Sequence, residues 1–588
     1  MLKKFFISML GTIAGLWISI LIGFVVLVCI ISSIAASMIS SPVNDISLSD
    51  KSILYINLDG AIPERYQPTD WFQMLQNVEN EGDSFVDMID AIKLAANDGK
   101  ISGLYLTGGA LTVGSASREE LLEAVEQFKQ SGKWVVAYGD TYMQSAYQIA
   151  SAADNVYLNP IGSVDVHGVA SMTMFYTGLL EKLGVKMHVV RVGTFKSAVE
   201  PFFAKEMSPA SRLQTQAMVD TIWSVTADAV ATNRGLALVD VTAWADSIIS
   251  SWPAERTLEA GAVTALDYRR TVEDELRARV GLDRDETLPL VTATQYMSQQ
   301  KSADTESDHL AVLFAVGDIV DTGEGGIVGD VMTPQIIELA DDEHVKGLVL
   351  RVNSGGGSAF ASEQIWEALE YFKSTGKPFY VSMGDMAASG GYYISCGADR
   401  IYADRSTLTG SIGVFGLIPD LSGLLTNQLG LTISTVQSNP NAVPLNIYGN
   451  MSEQQLVALQ AGVNDIYETF TKRVADGRDM PQDSVKQIAE GRVWVGGKAV
   501  ELGLVDEIGG FHKVVAAAAS AAGVAADKVV YYPEIEEDFM MQLVREARHS
   551  VSYGGMTIDG AALRTMRLVQ YLSTMNPMQA RMVPVEIR

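Results

Sequence analysis

The longest apolar run in the chain lies at its start. No charged residue occurs between Lys4 and Asp45, and Phe5 to about Ile34 is almost continuously Ile, Leu, Val, Phe, Ala and Gly. A helix needs about 20 apolar residues to cross the hydrocarbon core, so this stretch predicts a tilted membrane-spanning helix. The competing reading is a cleaved signal peptide, whose apolar region runs about 7–15 residues before a small-residue cleavage site. Ala35-Ala36-Ser37 imitates such a site, but the apolar length favours an uncleaved anchor. Lys3 and Lys4 ahead of the run and acids after it place the N-terminus in the cytoplasm. Everything from about Ser41 then lies outside the cytoplasm, at the membrane surface.

Beyond the anchor the pattern changes to short β-rich runs alternating with helical periodicity, and it occurs twice. GLYLTGG at Gly103 resembles GLVLRVN at Gly347, and FKQSGK at Phe128 returns as FKSTGK at Phe372, both at an offset of 244 residues. YQIASAAD from Tyr147 lines up with YYISCGAD from Tyr392, and GLLEKLGV at Gly178 with GLLTNQLGL at Gly423. This period is far longer than that of solenoid repeats, so the chain holds a duplicated domain. In the second copy His309–Val316, Val345–Val352 and Phe379–Met383 read as buried strands. Between the last two, Ile365, Leu369 and Phe372 give a helix with one apolar face. Strand, crossover helix, strand is the βαβ unit, which predicts an α/β fold with a largely parallel sheet. The expected organisation is an anchor over residues 1–45, a first repeat over 46–300 and a second over 301–588. The tail from about Ala516, through Val529–Tyr532, completes the second copy, and a loop insertion around Tyr66–Asn80 marks the first.

Composition narrows the function. A net charge of −27 over 588 residues repels phosphate backbones and argues against nucleic acid as a partner. The two cysteines, Cys29 and Cys396, fit no zinc, iron–sulfur or disulfide framework, and no HExxH helix occurs, so neither a metal nor another cofactor is expected. Cys396, seven residues beyond Ser389 on the same predicted helix, reads as a small buried hydrophobe, and Tyr392 and Tyr393 as packing.

In parallel α/β sheets the chemistry sits in loops beyond the carboxyl ends of strands. Two such loops stand out in the second copy. Asn353-Ser354-Gly355-Gly356-Gly357-Ser358 can aim backbone N–H groups at an anion, although a plain strand-to-helix turn reads the same way. In Ala388-Ser389-Gly390-Gly391 a serine has an unencumbered hydroxyl at a helix start, where the commoner role is an N-cap. The first copy has Gln144 opposite Ser389 and Gly108-Gly109-Ala110 in place of the triple glycine, so these loops cannot run the same chemistry there. It does carry Lys196, opposite which the second copy has Ala442. A serine needs a base. None of the six histidines lies in the Ser389 loop, and a buried lysine without a counter-charge can serve. The alternatives for Lys196 are a solvated side chain or a partner of Glu200.

At these residues the chain resembles the signal peptide peptidase A (protease IV) family in its long tandem-repeat form. The resemblance is densest over Arg191–Phe202 (RVGTFKSAVEPF), Val349–Ser358 (VLRVNSGGGS), Gly384–Ser395 (GDMAASGGYYIS) and Thr407–Val414 (TLTGSIGV). It implies two tandem Clp-protease/crotonase-like domains and a membrane-anchored serine protease that degrades signal peptides left in the membrane. Ser389 matches the nucleophile, Lys196 the general base and Ser411 the serine that hydrogen-bonds the lysine, while Gly356 and Gly390 would offer N–H groups to the oxyanion. Gly355 stands where the family usually has proline. The resemblance also implies a homotetramer, apolar peptide substrates and a catalytic part on the periplasmic, extracytoplasmic side of the cytoplasmic membrane. Two other classes compete: a catalytically silent membrane-tethered scaffold, and a crotonase-like acyl-CoA enzyme that uses paired N–H groups on an acyl oxygen. Trapping of Ser389 by a serine-directed phosphonate, lost with Lys196→Ala, separates the protease from both.

Overall fold

The computed structural model describes residues 48–65, 83–300, 305–323, 325–449, 451–533 and 578–581. The expected anchor and the whole of the Tyr66–Asn80 insertion lie outside the described residues, among which no helix is long and apolar enough to cross a membrane.

In the first repeat the strands are Ser52–Asn57 (β1), Ile101–Thr107 (β2), Trp134–Tyr142 (β3), Asn155–Val164 (β4), Lys186–Val192 (β5), Ala265–Leu266 (β6) and Leu290–Thr292 (β7). All but β5 form one parallel sheet in the order β6-β4-β3-β2-β1-β7. Its crossovers include Phe85–Asn97 (α1) and Ser115–Gln130 (α2), followed by the short Gln144–Ala150 (α3) and the long Pro209–Arg234 (α4). α1 starts where the Ser84 hydroxyl accepts the Asp87 N–H. α4 starts where Ser208 accepts the Ser211 N–H ahead of Pro209, and it ends at the left-handed Gly235.

The second repeat repeats this plan with His309–Val316 (β8), Ile319–Val320 (β9), Ile327–Val328 (β10), Val345–Ser354 (β11), Gly356–Ser358 (β12), Phe379–Ala388 (β13), Leu408–Gly410 (β14), Val414–Asp420 (β15), Val493–Val495 (β16), Val529–Tyr532 (β17) and Met578–Arg581 (β18). The main path of its eight-stranded sheet runs β16-β14-β13-β11-β8-β17, parallel except at β16, while Arg400–Ala403 pairs off this path with β13 and Glu507–Ile508 with Arg400–Ala403. The continuous apolar strands follow from this position. β8 and β11 have helices on both faces, so an alternating pattern would bury polar side chains. Helices Ala359–Ser374 (α5) and Phe511–Ala522 (α7) cover the two sides, α5 with the expected Ile365, Leu369 and Phe372 against the core. Of the tail expected to belong to the second copy, β17 pairs with β8 and so adds the edge strand to its sheet.

The junction between repeats is a third sheet, in the order β10-β9-β12-β18-β15-β5. Here β5 of the first repeat pairs antiparallel with β15 of the second, from Val192 opposite Val414 to Lys186 opposite Asp420. A buried charge cluster adds to it. Arg351, in the middle of apolar β11, donates to Glu64 at 2.6 Å and Glu120 at 2.7 Å, both from the first repeat. The Phe511 N–H at the start of α7 donates to the other Glu120 oxygen at 3.0 Å. Buried charges are tolerated when paired and hydrogen-bonded in this way.

Candidate active site

The pairing of β5 with β15 dictates what meets at its end. Lys196 follows Val192 by four residues, and Ser411 precedes Val414 by three. Because the strands run antiparallel, both leave the sheet on the same side. Lys196 Nζ lies 2.7 Å from Ser389 Oγ, 3.0 Å from the Ser411 carbonyl and 3.1 Å from Ser411 Oγ. The three residues are buried. Burial pushes the Lys196 amine well below the usual lysine range, toward the neutral form. Neither alternative for this lysine is found: it is not solvated, and the Glu200 carboxylate instead accepts the Ser208 N–H at 3.1 Å and hydroxyl at 2.6 Å.

Ser389 is held by its backbone. It leaves β13 with φ 57° and ψ −116°, its N–H donates to the Gly410 carbonyl at 2.8 Å, and its carbonyl accepts from Tyr393 N–H at 2.9 Å. A non-glycine residue with this φ is strained, and such strain persists only where the surroundings over-determine it. It also turns Oγ away from the helix, so Ser389 makes no side-chain cap. That helix, Gly390–Tyr393 (α6), is one turn long, a correction to the expected run as far as Cys396. Ser395 N–H tightens onto the Tyr392 carbonyl and Ala398 N–H onto that of Ser395, both three residues back, and Asp399 N–H goes to the Phe379 carbonyl, so the chain leaves the helical path for the next strand. Cys396 is buried, its thiol is pushed up by burial, and its S–H donates to the Tyr393 carbonyl at 3.2 Å. It is inert packing, as are Tyr392, bonded to the Leu504 carbonyl at 2.8 Å, and Tyr393, whose ring lies tilted against that of Phe470 with centroids 4.5 Å apart.

The two glycines expected at the oxyanion are adjacent: a Cβ on Gly390 would lie 3.1 Å from Gly356 Cα and from Gly357 N. The Gly356 N–H donates to Ser354 Oγ at 3.1 Å, so an incoming oxyanion would take that hydroxyl's place. Against this loop lies an extended segment of the chain itself. β18 pairs antiparallel with β12, Gly356 opposite Arg581, and with β15, Phe415 opposite Gln579.

The lysine's seat escaped the sequence reading. Gly491, with φ +71°, packs against the Lys196 backbone, and a Cβ there would stand 2.6 Å from Lys196 Cβ. Glu490 clamps the preceding turn, accepting Phe195 N–H at 2.9 Å on its carbonyl and Thr194 N–H at 3.1 Å on its carboxylate. Only the lone arginine within the apolar β11 run signalled the Arg351 cluster. In the first repeat, Gln144 seals the position equivalent to Ser389, accepting His167 N–H at 2.9 Å and Gly168 N–H at 3.0 Å.

The chain matches the model of peptidase family S49 over residues 127–283 and 371–525, one match in each repeat. It is 34% identical over 517 residues to Protease 4 of Haemophilus influenzae, covering 84% of this chain and 82% of that protein. To Protease 4 of Salmonella typhi it is 37% identical over 460 residues, covering 77% and 74%. To the chloroplastic serine protease SPPA of Arabidopsis thaliana it is 28% identical over 494 residues, covering 82% and 71%.

Proposed function

The chain belongs to peptidase family S49 and is thereby a serine peptidase; from that premise we propose a membrane-anchored endopeptidase with a Ser389–Lys196 dyad that degrades cleaved signal peptides and other apolar peptides. The observation that carries this reading is the 2.7 Å approach of a buried amine to a buried, strained serine hydroxyl.

In the proposed reaction neutral Lys196 takes the proton as Ser389 Oγ attacks the peptide carbonyl carbon. The N–H groups of Gly356 and Gly390 receive the oxyanion. Lys196 then gives its proton to the departing amine, leaving an acyl ester on Ser389. A water deprotonated by the same lysine attacks the ester and frees the serine. Ser411 holds the amine in line through two acceptors. Support for extended peptides as substrates comes from β12 and β15, which already hold a strand between them. A peptide bound there gains main-chain hydrogen bonds of the kind sheets give.

The apolar run Phe5–Ile34 supports anchoring in the cytoplasmic membrane with the catalytic part on its outer, periplasmic side. For a homotetramer the support is surface chemistry. The helix Thr177–Leu183 buries none of its residues, and Leu179, Leu183, Leu429 and Leu431 are exposed near the contact of Gln428 with the Lys182 carbonyl.

The test uses the full chain. A serine-directed phosphonate is expected to label Ser389 and to fail with Lys196→Ala, and apolar peptides are expected to survive Ser389→Ala. A parent protein that neither takes the label nor turns over peptides would overturn the reading in favour of the tethered scaffold.

A further inference from the structure

We propose that Gln214 is a positioning residue for the base, tying both flanks of Lys196 to the strand that backs Ser389 and Ser411; the inference rests on the dyad reading above. Gln214 lies on α4 and is 4% exposed. Its Nε2 donates to the Phe195 carbonyl at 3.1 Å and to Ser197 Oγ at 2.8 Å, the residues immediately before and after the lysine. Its Oε1 accepts the Val493 N–H of β16 at 3.1 Å. The amide has one orientation, because Val493 N–H demands an acceptor and the Phe195 carbonyl a donor.

What Val493 touches makes this contact consequential. It stands opposite Gly410 in the antiparallel pair of β14 and β16, and the Gly410 carbonyl accepts the Ser389 N–H. One residue beyond Gly410 the chain serves the dyad again: the Arg492 carbonyl accepts the Ser411 N–H at 2.7 Å, and Ser411 supplies two acceptors to Lys196 Nζ. One side-chain amide therefore links the loop carrying the base to the strand pair that fixes the nucleophile, although base and nucleophile belong to different repeats. Simple adhesion between the repeats at this point has its own residue. Met218, one helical turn further along α4, packs into an apolar cluster with Ala388, Leu408 and Val493. Gln214 adds direction to a contact that Met218 already holds.

Among the described residues no charged group pairs with the Lys196 amine, whose partners are Ser389 and Ser411. Arg191 donates to the Lys196 carbonyl at 3.3 Å, Glu200 is bonded by Ser208, Glu490 by Thr194, and Arg492 lies 4.8 Å from the Phe195 ring and 4.0 Å from that of Trp494. The acid limb of the kcat/KM profile should thus report the protonation of Lys196.

Gln214→Met removes all three hydrogen bonds at similar volume, and Gln214→Glu keeps the acceptor while introducing a carboxylate beside the lysine loop. In the full chain, with an apolar fluorogenic peptide, Gln214→Met is expected to lower kcat about tenfold with KM unchanged and to slow phosphonate labelling of Ser389 equally, as a misplaced base does. Gln214→Glu is expected to move the acid limb upward by about one pH unit, with activity recovering in alkali, because a nearby anion favours the charged amine. If either variant fails to fold, Ser197→Ala, which deletes one of the bonds, is read for the same fall in kcat. Full kcat and an unmoved limb in the folded variants would overturn the proposal. Activity persisting in Lys196→Ala would instead overturn the dyad reading.

Discussion

Gly491→Ala is the substitution whose effect the geometry defines most sharply. The added Cβ would stand 2.6 Å from Lys196 Cβ and 2.8 Å from its Cα and N, against a backbone that has no flexible end to swing aside. Carbon atoms pack at about 3.5–4.0 Å, so relief requires the lysine loop to retreat by about 1 Å. A 1 Å misplacement of a reacting group costs about 10²-fold in rate, or about 2.7 kcal/mol of transition-state stabilisation. Holding alanine at φ +71° adds about 1–2 kcal/mol of backbone strain, which appears in stability. Steady-state hydrolysis of an apolar peptide should show kcat falling about 10²-fold with KM little changed, and phosphonate labelling should slow in parallel. Chemical denaturation measures the strain separately. Gly497→Ala is the control, since its Cβ would meet nothing nearer than 3.9 Å and both rate and stability should stay at the parent values. A folded Gly491→Ala with parental kcat would refute the reasoning, because the loop would then yield without moving the amine.

Other perturbations separate stability from chemistry. Lys196→Met should abolish turnover yet raise the denaturation midpoint at neutral pH. Burial lowers the folded lysine's pKa, so the unfolded chain binds the extra proton; the parent's stability rises with pH up to the ordinary lysine value, and the variant's lacks that rise. Arg351→Leu leaves Glu64 and Glu120 buried without their cation and should cost about 3–5 kcal/mol, with activity lost as the repeats loosen; a shift below 1 kcal/mol in the urea midpoint would remove the cluster's role. Asp90 on α1 is pushed up to about 7 by burial, while Tyr531 donates to it at 2.8 Å. Asp90 therefore holds a proton in the folded chain between about pH 4 and 7 and contributes stability that fades across that window by up to about 4 kcal/mol, against the opposite contribution of His512, 3.3 Å away and lowered to about 3 by burial; Asp90→Asn should remove the Asp90 part in pH-dependent urea titrations.

The parts of this fold that were legible in the sequence are those whose cause is local. Continuous apolar runs become interior strands because helices cover both faces, and the spacing of Ile365, Leu369 and Phe372 becomes a buried helix face for the same reason. The Ser389 loop could be singled out because strand ends and glycines mark it, and comparing the copies drew attention to Lys196. What joins them was not legible. The register of β5 on β15 pairs residues more than two hundred positions apart, and neither strand advertises its partner. Gly491 carries no mark that distinguishes it from other glycines until the lysine backbone is seen against it. Gln214 is one polar residue on a helix that mixes polar and apolar positions. Its meaning comes only from the three groups it reaches.

This division also bears on what the duplication has become. Sequence comparison pairs Lys196 with Ala442 and Ser389 with Gln144, and the two sites have diverged beyond single substitutions. Ala442 is exposed in a loop, whereas Lys196 is buried at the junction. Gln144 is bound to the backbone at His167 and Gly168, so a serine there would lose both acceptor contacts and still face no amine. The copies are therefore complementary halves rather than two sites with one disabled. On the dyad proposed above, the antiparallel β5–β15 junction, which brings the Lys196 loop of one copy against Ser389 and Ser411 of the other, would make the chain as a whole the catalytic unit. Turnover through the proposed dyad would then depend on the docking of the repeats as directly as on the dyad itself, and Arg351, buried between two carboxylates of the other repeat, is one of the contacts that hold that docking.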